Sequence, residues 1–203
     1  MIYSYINAKG ADNYGVEVDI RKNLDFIGMK NFSLSLNGAL IKSNVNFEPG
    51  SKEEDRPMQG QSPYLVNAGL FYQQPKNGWN AAILYNRIGK RIIGVGRSLG
   101  SAGDEVRVPD TYEMPRKAID LSASKKFSKL KKGSEAYFGG GNVIDLWACK
   151  KFVYLVVKAA IRDVLAEKVS FKQFENTENG EVQQITRQFK PGRSFNVNIS
   201  YNF

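Results

Sequence analysis

Few residues in this chain are equipped for chemistry, and their spacing excludes more than it supports. There is no histidine among the 203 residues, which removes the usual neutral-pH general base and the commonest transition-metal ligand. The single cysteine, Cys149, has no internal disulfide partner. Carboxylates gather in "NVNFEPGSKEEDRP" as Glu48, Glu53, Glu54 and Asp55. Calcium loops need such groups in an ordered ligand spacing, which is missing here, so the segment reads as a solvated loop. "GVGRSLG" (Gly94 to Gly100) mimics a phosphate loop, but its glycines miss the GxGxxG spacing and no helix pattern follows. No nucleophile is paired with a base in the text. The expectation is a protein without catalysis, metal or cofactor.

The formal charge is +9, and a basic chain raises the question of nucleic acid. Apart from "KKFSKLKK" (Lys125 to Lys132) the cations are scattered, and no recognition helix accompanies that cluster. Nucleic acid is therefore not an expected partner. No apolar run reaches the ~20 residues of a membrane-spanning helix. The longest, "FVYLVVKAAI" (Phe152 to Ile161), is short and contains Lys158.

The elements that would position any site follow a period of two. "YGVEVDIR" puts Tyr14, Val16, Val18 and Ile20 on one face and Gly15, Glu17, Asp19 and Arg21 on the other. "NFSLSLNGAL", "SPYLVNAGLFY", "WNAAILYNRI" and "KAIDLSASKKF" continue the pattern. The terminal "SFNVNISYNF" sets Phe195, Val197, Ile199, Tyr201 and Phe203 against serines and asparagines. The stretch Gly133 to Leu165 has a triple glycine and a mixed period, and a strand is expected there from about Lys151 to Arg162. The fold class is all-β, an antiparallel sheet of about eight strands.

Connections alternate in length. Asn23 to Lys30, Gln74 to Gly78 and Ser128 to Gly133 are short. Val45 to Ser62, Gly94 to Pro115 and Leu165 to Pro191 are long and rich in Pro, Gly and charge, as loops are. Short turns at one end and long loops at the other is the arrangement of outer-membrane barrels. The strands also supply the 9 to 11 or so residues that crossing a bilayer requires. Aromatics near strand ends (Tyr14, Phe32, Tyr64, Tyr72, Trp79, Phe127, Tyr201, Phe203) stand where interfacial girdles belong. A soluble barrel binding a small apolar ligand predicts the same alternation but not the loop asymmetry. A self-contained eight-stranded barrel with a structural or adhesive role is the other alternative.

Five segments in order, "GADNYGVEVDIRKNL", "RPMQGQSPYLVNAGLFYQ", "YEMPRKAIDLSASKKF", "IRDVLAEKVSFKQF" and "GRSFNVNISYNF", resemble the C-terminal barrel of TonB-dependent outer-membrane receptors, in the style of Bacteroidetes. The resemblance spans nearly the whole chain apart from about Gly133 to Lys150. It implies a location in the outer membrane of a Gram-negative bacterium and a role in taking up a scarce nutrient such as a siderophore or glycan. It also implies contact with outer-membrane lipid and with TonB through a plug domain. Neither a plug nor a signal peptide is visible in the text, so the expectation is the last third of a receptor, residues 1–203 being the C-terminal portion of the barrel. Loop residues Arg56, Gln59, Gln61, Arg97, Tyr112, Arg116 and Gln173 are then the candidates for ligand contact, since binding residues of such scaffolds sit on loops. Arg56 and Arg116, each beside a proline, serve equally well as loop braces. Val197, Ile199, Tyr201 and Phe203 resemble the terminal signal read by the barrel-assembly machinery.

Overall fold

The computed structural model describes residues 8–51, 53–99, 106–127, 154–177 and 180–202. They form thirteen strands, a single 3-10 turn (Asp25–Ile27) and no α-helix. In chain order the strands are β1 (Gly10–Asn23), β2 (Phe32–Asn46), β3 (Tyr64–Gln74), β4 (Trp79–Ile88), β5 (Arg91–Gly94), β6 (Arg97–Leu99) and β7 (Val106–Val108). They continue as β8 (Thr111–Glu113), β9 (Arg116–Phe127), β10 (Tyr154–Arg162), β11 (Val169–Thr177), β12 (Gly180–Phe189) and β13 (Ser194–Asn202). The protein is all-β, and every ladder is antiparallel.

Seven long strands make the main sheet, in the order β1-β2-β3-β4-β9-β10-β13. Its register converts the period of two into two continuous faces. Val16 lies opposite Leu40, Leu36 opposite Ala68, Leu70 opposite Ile83, Ile83 opposite Leu121, Leu121 opposite Ile161, and Ile161 opposite Phe195. A slip of one residue at any ladder would throw that strand's apolar set to the other side. The seven alternations therefore agree on one register.

The opposite face carries amides, hydroxyls and charges. Asn86 donates to Asn67, Asn67 donates to the Asn37 Oδ1 at 3.3 Å, and Asn37 donates to the Glu17 Oε1 at 2.8 Å. This ladder of side chains ties β4, β3, β2 and β1 together. Ser122, Ser124, Asn196 and Asn198 extend the polar character across β9 and β13.

Nothing in the described structure covers the apolar face. Val16 is 68% exposed and Phe195 73%. Among the described residues the buried apolar side chains are Ile92 (1%) and Val169 (7%), both outside the main sheet. A soluble sheet of this size buries its apolar face against a second layer, and this one does not.

Charge on the apolar face is confined to its ends. Arg87 and Lys117 lie opposite each other near the loop end, and Trp79 lies opposite Lys125 near the turn end. Along β4 the apolar stretch between them spans about 27 Å at ~3.4 Å per residue. Tilted as barrel strands are, that is roughly 20 Å of height, close to the ~25 Å apolar band of membrane barrels. Aromatics mark both margins. At the turn end Phe32 and Tyr72 pack with ring centroids 4.9 Å apart, and the Lys125 ammonium lies 4.8 Å from the Trp79 ring while donating to the Asn77 carbonyl at 2.5 Å. At the loop end Arg87 lies over Tyr64, 5.5 Å from its centroid.

The connection between β3 and β4, residues 75–78, closes on Gly78 at φ +68, and its N–H donates to the Pro75 carbonyl at 3.3 Å. Only glycine takes that backbone region freely, and a Cβ here would also run into the Lys126 carbonyl. Gly78→Ala is expected to destabilise the chain by about 1–3 kcal/mol. Urea unfolding of the chain measures this, and exposed Lys76→Ala close by should be near neutral.

The seven strands of the described main sheet fit the segment of about eight that was expected, and Tyr154–Arg162 supplies the described part of the strand expected from Lys151. One expectation needs correction: two of the long connections are not irregular. They carry β5 to β8 and the β11–β12 hairpin, and four of these strands pair as a second sheet in the order β12-β11-β8-β5. Register shifts at Ile92/Gly94 and Phe171/Lys172 break the period of two that would have revealed them. The short connection expected at 128–133 and the atypical stretch 133–150 lie outside the described residues.

Candidate functional site at the loop end of the sheet

All the long connections leave the same end of the main sheet. Residues 47–63 join β2 to β3, residues 89–115 join β4 to β9, and residues 163–193 join β10 to β13. The second sheet is built from the latter two, so distant parts of the chain meet above that end. Its buried apolar side chains are Ile92 on β5 and Val169 on β11.

Three of the seven residues expected to contact a ligand, Arg56, Gln59 and Gln173, have their side-chain polar groups engaged within this assembly. Arg56 makes an isolated bridge with Val45, donates from Nη1 to the Glu53 Oε2 at 2.6 Å, and lies 4.8 Å from the Phe47 centroid. Gln59 donates to the Ile93 carbonyl at 2.8 Å, tying the 47–63 loop to β5. Gln173 donates to the Pro109 carbonyl at 3.0 Å and to the Thr111 hydroxyl at 3.1 Å, tying β11 to β8. Arg116 opens β9 opposite Ile88. The backbone of Arg97 pairs with Val108 in the two-stranded sheet β6-β7.

Gln61 and Tyr112 are brought together, around a cavity of about 200 Å³ between β2, the 57–63 segment, β5 and β8. Its walls are mostly apolar, from Ile41, Pro57, Pro63, Ile92 and Tyr112, with Lys42, Lys90 and Arg91 at its margin. Lys90 lies 4.6 Å from the Tyr112 centroid and 4.8 Å from that of Phe174, and the two rings meet edge to face at 5.6 Å. Burial, and secondarily the neighbouring Asp110 carboxylate, raises the Tyr112 phenol above its ordinary range. It therefore stays a neutral donor across physiological pH.

Lys90, Arg91 and Glu113 escaped the reading of the sequence. Arg91 donates to one oxygen of Glu113 from Nε at 2.8 Å and from Nη2 at 2.7 Å. The pair locks β5 to β8, with Glu113 nearly buried. The available signal was "GKRIIG", a basic pair ahead of an apolar pair, which falls between the strand "WNAAILYNRI" and the long connection from Gly94 and was singled out in neither. A second hollow of about 820 Å³ opens at the turn end, lined by Arg21, Asp25, Ser33, Ser35 and Phe71 among others. No group of three or more metal-ligating acids or thiols occurs among the described residues.

No family model, curated protein or solved structure matches this chain. The fold itself gives the class: an all-β protein whose antiparallel sheet has one uncovered apolar face, one amide-rich face and a braced platform of loops at one end.

Proposed function

We propose that the chain forms part of the wall and the external loops of an outer-membrane barrel of the TonB-dependent receptor type, which takes up a scarce nutrient. The observation that carries this reading is the uncovered apolar face, unbroken across seven strands and bounded at both ends by aromatics and cations. A bilayer is a solvent for such a face, and the ladders satisfy the backbone groups that lipid cannot.

In this role lipid packs against Val16, Ile83, Leu121 and Val197, and the amide-rich face turns to the lumen. The plug of such a receptor, acted on by TonB, would lie on that side. The 200 Å³ cavity and the platform around Tyr112 stand at the external end, where a nutrient arrives. Val197, Ile199 and Tyr201 lie on the outermost strand of the sheet, with Ile199 67% exposed, as a segment read by the barrel-assembly machinery requires. Phe203 lies outside the described residues.

The test uses the full chain with Cys149→Ala, refolded into lipid vesicles, with an environment-sensitive fluorophore on single cysteines at 196 to 199. Val197 and Ile199 should give blue-shifted emission quenched by brominated acyl chains, and Asn196 and Asn198 should not. Equal, water-like emission at all four positions would sink the membrane reading.

A further inference from the structure

The two edges of the main sheet have a relation fixed by counting. The sheet contains seven strands, each antiparallel to its neighbours. Seven strands have six reversals between them, an even number, which leaves the first and last strands running the same way. β1 runs from the loop end to the turn end, since Asn23 precedes the turn to β2, and β13 also starts at the loop end, after residue 193. Among the described residues β1 pairs only with β2, and β13 only with β10.

We infer that the edges of β1 and β13 are docking edges for an odd number of further membrane-crossing strands, supplied by one further stretch of wall. The inference rests on the membrane reading above and makes it specific. Direct pairing of β1 with β13 would be parallel, a junction foreign to the even-stranded antiparallel bacterial barrels. A second copy inserted in the same orientation meets the same obstacle, because its β1 and β13 also run from loop end to turn end. β9 and β10 pair with each other, so no further strand lies between them.

The chemistry of the occupant follows from the edges. β1 presents Tyr14, Val16, Val18 and Ile20 on the apolar side and Glu17, Asp19 and Arg21 on the other. β13 presents Phe195, Val197, Ile199 and Tyr201 against Asn196, Asn198 and Ser200. The added strands must alternate in phase with both, with outward apolar residues and inward polar ones. The first and last of them must run from the turn end to the loop end. With both edges open the chain keeps two rows of unsatisfied backbone groups, which lipid makes costly.

The experiment uses the lipid-refolded full chain with Cys149→Ala, Glu17→Cys and Asn198→Cys, both on the polar face. Oxidation should yield neither an intramolecular cross-link nor a covalent dimer. Either product would overturn the inference, the first by showing self-closure and the second by showing pairing of like-oriented copies. A second chain adds one strand upstream, a copy of residues 32–46 with its own Asn37→Cys, in place of the cysteine at 17. A third adds two strands, a copy of residues 10–46 with the cysteine at its Glu17. The one-strand chain should cross-link to position 198 and resist unfolding by SDS without heating, and the two-strand chain should do neither. Failure of the one-strand chain to close, or equal closure of both, would overturn the parity argument. The fluorophore alternation at 196 to 199 is read separately on the same chains, so failure of the membrane reading is distinguishable from failure of the count.

Discussion

On the proposed membrane reading, placing arginine at Ile83 is expected to cost the lipid-refolded chain about 2–4 kcal/mol, the penalty for a cation near the midplane of a barrel's lipid face. That is roughly 30- to 1,000-fold in the folding equilibrium. Ile83 lies between Leu70 and Leu121 in the centre of the apolar face and is 50% exposed. In water, substitution of so exposed a side chain changes stability by only about 0.5 kcal/mol either way. The two environments therefore differ by several-fold in free energy at the same position. The control is the next residue. Leu84 is 41% exposed, points to the opposite face and lies across from Asp120. Leu84→Arg meets water and a carboxylate, so it should stay within about 1 kcal/mol of the parent. Urea titration of both variants in vesicles measures the split. Equal, small effects would remove lipid from the account.

Loss of the Arg91 side chain is expected to open the platform without touching the wall. Arg91→Ala strands the Glu113 carboxylate, whose side chain is only 12% exposed, without its cation. Fully buried pairs cost about 3–5 kcal/mol to break this way. Arg91 is itself 34% exposed, so solvent screening brings the expected local cost to about 2 kcal/mol. Amide exchange at Ile92 and Tyr112 should accelerate by about 30-fold, as a local opening equilibrium of that size implies. The β3–β4 ladder shares no strand with the platform sheet, so exchange at Ala68 and Tyr85 should be unchanged. Adding Glu113→Ala should recover part of the loss, because the unpaired acceptor then disappears. Uniform acceleration across both sheets would show that platform and wall unfold as one unit.

The wall was legible in the sequence because a half-buried strand writes its two faces into alternate letters. "SFNVNISYNF" and "YGVEVDIR" each state a strand and its apolar side without help from elsewhere, although β1 extends past the second at both ends. The platform was not legible because its strands are only three or four residues long at β5 and β8, too short to show a period. In β12 the extra residue Thr186, whose hydroxyl donates to the Phe171 carbonyl at 3.2 Å, shifts the alternation partway along. The same gap hid how the polar residues of the long connections are used. Polar side chains in a supposedly free loop look available for binding, yet Gln59, Gln173 and Arg56 spend their polar groups on backbone and neighbours. Gln61 and Tyr112 line the cavity, and so does Lys90, which was not singled out.

The ladder from Asn86 through Asn67 and Asn37 to Glu17 has a mechanical meaning. A pull directed along the strands loads its three side-chain bonds and the backbone bonds beneath them simultaneously, as a lap joint is loaded in shear. A pull directed sideways at β1 or β13 loads them one after another, as a seam is unpicked. The sheet is therefore stiff along the direction joining its loops to its turns and weak at its margins, so an applied tug is transmitted through the wall before it tears it.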